Sequence, residues 1–120
     1  MKTRILRKAT FTSSLLSNSL ELDNKDEYDI VGNMLKETEK QMKALANKRR
    51  LAILQYLKKS REAAVGDIAG EIKLSFTATS KHLGVLYAGG MVEKDQRGLM
   101  IFYSLARVLH SATKHVIATL

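Results

Sequence analysis

The sequence predicts a mainly α fold with one small β-hairpin, and three observations carry that prediction. Apolar side chains recur at spacings of three and four through most of residues 34–118, the period of helices that bury one face. The period breaks once, around Arg97-Gly98, where two short strand-like runs flank a turn. A chain of 120 residues leaves room for one domain, and residues 34–120 suffice for a small helical core.

Residues 1–33 read as an N-terminal arm or linker, disordered in part. Met1 to Leu20 is basic, acid-free and rich in Ser and Thr, the composition of a poorly ordered arm, a loosely docked first helix or an organelle transit peptide. Leu20 to Asp29 is polar and acidic and reads as a linker. From Met34 a first helix is expected, with Leu35, Thr38, Met42 and Leu45 on its apolar stripe and Lys36, Glu37, Glu39, Lys40 and Lys43 off it. Asn47 offers an N-cap to a second helix that turns Leu51, Ile53, Leu54 and Leu57 inward and ends at Lys58-Lys59-Ser60-Arg61. A short third helix over Val65 to Ile72 buries Val65, Ile68, Ala69 and Ile72.

The three residues Lys73-Leu74-Ser75 then form a joint of the length that connects the helices of a helix-turn-helix. Ser75 as N-cap opens a fourth helix with Thr79, Leu83 and Leu86 inward and Thr77, Ser80, Lys81 and Gly84 outward. Gly89-Gly90 ends it. Strands are expected over Met91 to Gln96 and Leu99 to Ser104, with Gly98 supplying positive φ at the turn. A last helix over about Leu105 to Ala118 would set Leu105, Leu109, Ala112 and Val116 on a seam apolar enough to need a partner.

Charge narrows the function classes. Lys and Arg total 20 against 12 acids, a formal net charge of +8, so the expected partner is a polyanion, with nucleic acid the simplest. Residues 1–33 hold five bases and five acids, which leaves the whole surplus in the folded part. There is no cysteine, hence no disulfide, thiolate metal site or thiol redox chemistry. No run approaches the ~20 apolar residues of a membrane span, and a soluble, cytoplasmic protein is expected. On the fourth helix the outward set is small, polar and singly basic. Such a face fits the major groove of DNA, where bulky side chains would hold the backbone away from the base edges.

Leu45 to Leu54, Leu74 to Val92 and Gly98 to Leu105 together resemble the ArsR-type winged helix-turn-helix repressors, and the resemblance runs from about residue 34 to the C-terminus. It implies a winged helix-turn-helix that dimerises through its first and last helices. It also implies that the fourth helix and the wing bind DNA through Thr77, Ser80, Lys81, His82 and Arg97, with Lys94 and Gln96 flanking the wing tip. On the residues alone, His82 lies beside the buried stripe and reads equally as a packed histidine. Gly84 and Leu99 stand where such proteins often carry a basic residue, which lowers the expected salt-dependent affinity. The family's cysteine metal site would fall at Ala64 and Gly66, which cannot bind a soft metal. His110 and His115, about 140° apart on one helix, do not converge on one ion. A site shared across a dimer is the remaining metal option. No metal and no cofactor are expected.

No phosphate-cradling glycine loop, nucleophile elbow or zinc-protease helix is present, so an enzyme is not expected. Lys48-Arg49-Arg50 could touch DNA phosphates or bind a carboxylate within the fold. The sequence reading is therefore a homodimeric, sequence-specific transcriptional repressor on an inverted-repeat operator in double-stranded DNA. Leu35, Met42, Leu105, Leu109, Ala112 and Val116 are its expected dimer contacts. The rival is a winged-helix interaction module that binds a protein or small ligand.

Overall fold

A 22-residue helix, α1 (Asn24–Leu45), opens the computed structural model, which describes residues 24–120. It begins inside the stretch expected to be a linker. Asp26 and Glu27 fall in its first turn, where negative charge meets the exposed N–H groups and the positive end of the helix dipole. The expected boundary at residue 33 thus lies within a helix, and most of the expected arm, residues 1–23, lies outside the described residues. Thr38–Leu120 forms one compact unit.

Asn47 caps α2 (Lys48–Ser60) as expected, its side chain accepting from the Arg50 N–H at 3.0 Å. Ile53, Leu54 and Leu57 of α2 are at most 1% exposed and sit in the core with Ile68, Leu83, Leu86 and Met91. Strand β1 (Glu62–Ala64) follows, then α3 (Val65–Ile72) and α4 (Phe76–Ala88). Between these two helices Lys73 takes the left-handed conformation at φ 56°, and the Leu74 N–H reaches the Ala69 carbonyl at 3.0 Å. That closes α3 and turns the chain sharply.

Ser75 caps α4 by accepting from the Ala78 N–H at 3.1 Å, and the fully buried Thr79 donates its hydroxyl to the Ser75 carbonyl at 2.8 Å. Thr79, Leu83 and Leu86 form the buried stripe expected of this helix.

Strands β2 (Val92–Arg97) and β3 (Met100–Leu105) pair in the expected hairpin, each one residue later than expected. Gly98 has φ 63° at the first of two turn positions, as a type II′ turn requires, and Leu99 occupies the second. The sheet has a third, unexpected member: β1 pairs antiparallel with β3, giving the order β1-β3-β2.

The last helix, α5 (Ser111–Thr119), is shorter than expected. Leu105 is the end of β3, paired with Val92, and Leu109 lies in the connecting loop. His110 caps α5, its Nδ1 accepting from the Ala112 N–H at 3.1 Å. The expected seam is therefore split between a strand, a loop and a helix, because sheet pairing claimed Leu105 first.

Basic side chains of the first two helices hold the ends of the others. Arg49 donates to the Ile72 carbonyl at 3.1 Å, and Arg50 to Ala44 at 2.5 Å and Lys43 at 3.2 Å. Lys58 reaches Ile117 at 3.0 Å and Lys40 reaches Ala88 at 3.3 Å. Each cation sits on carbonyls of a helix's last turn, where the dipole is negative. The sequence reading offered DNA phosphates or a carboxylate within the fold; within the fold, the partners of Arg49 and Arg50 are backbone carbonyls.

Gln41, 2% exposed, was missed. Its Nε2 donates to the Gly89 carbonyl at 2.7 Å and its Oε1 accepts from the buried Thr113 hydroxyl, so one amide ties α1 to α5 and to the end of α4.

Candidate nucleic-acid interface

Helix α4 presents a face without a single acidic residue. From Leu74 to Val92 the chain has no Asp or Glu, and Thr77, Lys81 and Gly84 are exposed with Ser80 half-buried between them. No atom outside the helix lies within 4 Å of the position a Cβ on Gly84 would take, so that face is open at its middle. Phe76, 62% exposed at the helix start, joins this surface, a position the sequence reading did not assign.

Strand parity sorts the wing. Side chains alternate across a strand, so Lys94 and Gln96 share one face of β2 while Glu93, Asp95 and Arg97 share the other. Lys94 packs its ammonium 4.3 Å from the centre of the Tyr87 ring, which ties the wing's lysine to the end of α4. Gln96 turns back to the Gly98 carbonyl at 3.3 Å.

Arg97 points elsewhere. Its guanidinium crosses the Phe102 ring at 4.7 Å and forms a fork with Glu62, both bonds 2.8 Å, while its Nε meets Asp95 at 2.9 Å. The arginine expected to be free at a glycine turn is folded back over the sheet. The hydrogen bonds from Arg97 hold the Glu62 carboxyl below its ordinary range, and the two carboxylates push the guanidinium pKa up in return.

His82 also departs from a phosphate-facing position. It is half-buried, with Nδ1 turned to Arg50 Nη1 at 3.5 Å. Burial lowers its pKa first, and the charges of Arg50 and Arg49 lower it further. Its contact with Arg50 ties α4 to α2 and matches the packed reading of this histidine.

Of the seven expected DNA-contacting residues, Thr77, Ser80 and Lys81 lie on the outward face of α4 and Lys94 and Gln96 on the wing face turned toward it, whereas His82 turns from α4 to Arg50 and Arg97 is held by Glu62 on the opposite wing face. Sequence reasoning missed Tyr87 and Glu62, which decide where the wing cations go. Among the expected dimer residues, Leu35 and Met42 are 67% and 51% exposed on α1. Leu105, Leu109 and Val116 are half-buried against the chain's own core, and Ala112 is half-buried. Tyr28 and Val31, on the same side of α1 as Leu35, are also exposed.

Among the described residues no three His, Asp or Glu side chains group as a metal site. Among them, too, no helix is long and apolar enough to cross a membrane.

Residues 47–94 match the family model for bacterial regulatory proteins of the arsR family. The transcriptional activator HlyU of Vibrio cholerae is 38% identical over 65 residues, which is 54% of this chain and 59% of HlyU's own length. The structure of reduced HlyU from the same organism superposes with a TM-score of 0.63 at 31% identity, over 78% of this chain and 93% of that one. The homodimeric winged helix-turn-helix DNA-binding domain of Mb0332 from Mycobacterium bovis gives a TM-score of 0.65 at 31% identity, covering 82% of each chain. The transcriptional repressor BigR of Xylella fastidiosa gives 0.61 at 28% identity, over 75% of this chain and 86% of that one.

Proposed function

The chain belongs to the ArsR family of bacterial regulatory proteins, and from that premise we propose that it is a homodimeric, sequence-specific DNA-binding repressor acting in the cytoplasm. The observation that carries this reading is the acid-free, open face of α4 with Lys94 drawn to its end by Tyr87. Thr77, Ser80 and Lys81 are short or flexible enough to reach base edges and phosphates from a helix lying in the major groove. Gly84 lets the helix backbone approach.

A second copy doubles this surface. Exposed apolar residues of α1, Leu35 and Met42 among them, offer surface for that contact, and the expected pairing adds the last helix, α5. Dimerisation would set two recognition helices about one DNA turn apart, roughly 34 Å, over an inverted repeat. Repression follows from occupying a promoter. The 120 residues contain no cysteine, so thiol oxidation cannot serve as an inducing signal on them.

Selection of bound sequences from random duplex DNA tests the reading. An enriched inverted repeat, bound with steep salt dependence, is the expected result. Binding that ignores salt would favour the rival, a protein- or ligand-docking module, for which the exposed Leu99 and Met100 at the wing tip speak. A reporter carrying the selected site in its promoter should lose expression when the protein is made, and a gain would place it with activators. Native mass measurement at micromolar concentration should give a dimer.

A further inference from the structure

Every nitrogen of the Arg97 guanidinium donates to a carboxylate: Nη1 and Nη2 to Glu62, Nε to Asp95. The planar fork that fits a carboxylate fits a phosphate equally well, so Glu62 fills the seat that two phosphate oxygens of a DNA backbone would take. We propose that Glu62, assisted by Asp95, is an internal competitor for the DNA backbone, holding Arg97 folded over the sheet and thereby setting the affinity of the wing and its salt dependence.

The topology supports exchange. Glu62 lies on the edge strand β1, fixed opposite Ser104, whereas Arg97 is the last residue of β2 beside the turn. The anchor stays put and the arginine can leave. The Arg97 and Glu62 side chains are 49% and 47% exposed, and an ion pair so open to water is a weak one. Phosphates arriving along α4 and Lys94 meet no acid on that face, so the carboxylates that oppose DNA are those on the far face of the sheet. Arg97 then contributes only by trading one anion for another.

This inference rests on the DNA-binding reading, and one titration separates the two. A fluorescent duplex of random sequence is titrated across a series of NaCl concentrations with the wild-type chain, Glu62→Gln, Glu93→Gln, Arg97→Ala and the double variant Glu62→Gln/Arg97→Ala. Glu62→Gln should bind about fivefold tighter at 0.15 M salt, with the salt slope steeper by about one. That gain should vanish in the double variant. Glu93, whose carboxylate engages Arg107 on the same sheet face and does not touch Arg97, reports what loss of any nearby negative charge does, and its variant should change far less. Equal or weaker binding by Glu62→Gln, a gain that survives in the double variant, or a match by Glu93→Gln overturns the proposal. If the unmodified chain shows no salt-dependent affinity for DNA, the functional reading falls and the competitor role falls with it. Melting curves confirm that the isosteric Glu62→Gln chain is folded.

Discussion

Helix α4 and the β2–β3 wing carry charge of the same sign in opposite states. On α4, Lys81 projects from an acid-free face and makes no ion pair among the described residues. On the wing, Arg97 is held by Glu62 and Asp95, and Lys94 lies over Tyr87. Net charge therefore overstates what this protein offers to a polyanion. What counts is which cations arrive without a partner.

The sharpest way to break that contrast is to reverse Lys81. Lys81→Glu should weaken duplex binding on the order of tenfold or more at 0.15 M salt, because one phosphate contact is lost and a repulsion added. Arg97→Ala, whose guanidinium is already occupied, should cost about twofold at most, in line with the small worth of an exposed pair. Gel retardation of both variants checks the ranking; equal losses would abolish the contrast.

Next in size is the amide that fixes the end of α4. Gln41→Leu strips the buried Thr113 hydroxyl and the Gly89 carbonyl of their partner and should lower stability by about 1 to 3 kcal/mol, read by urea denaturation. DNA affinity should fall with it, since the junction of α4 and the wing loosens.

Gly84→Ala should have a smaller and two-sided effect. An alanine Cβ meets open space, so the helix should gain up to about 1 kcal/mol while the closest approach to DNA is lost. A variant that melts higher yet binds a selected duplex less tightly is the expected outcome. An unchanged affinity would mean that the backbone of α4 does not come close to the groove.

The smallest effect is a pH dependence at His82. Its pKa is lowered from 6.5 in the folded chain, so below pH 6.5 the unfolded chain takes up the proton first. The contribution of His82 is level above that pH and falls as the pH drops toward the lowered value. The difference in Tm between wild type and His82→Gln should follow this window, and a difference independent of pH would rule it out.

Much of the fold was legible because its signals are local. Ser75 and Asn47 announce their helices, and Thr79, Leu83 and Leu86 repeat at the helical period. The rest depended on contacts distant in sequence. Glu62-Ala63-Ala64 has no strand propensity and is a strand only because β3 pairs with it. Leu105 continues a helical spacing and was claimed by Val92 across the sheet. At the site, Thr77 and Lys81 were visible from helical angle alone. The capture of Arg97 was not, because its partner lies 35 residues upstream on an element with no signature of its own.

The cations seated on helix ends lead to a practical consequence. Contacts of Arg49, Arg50 and Lys58 with backbone carbonyls are part-buried and short, and dissolved ions screen such contacts far less than those on an open surface. Concentrated sodium chloride should therefore elute the protein from a heparin column with its architecture intact, so that release and denaturation occur at well separated ionic strengths.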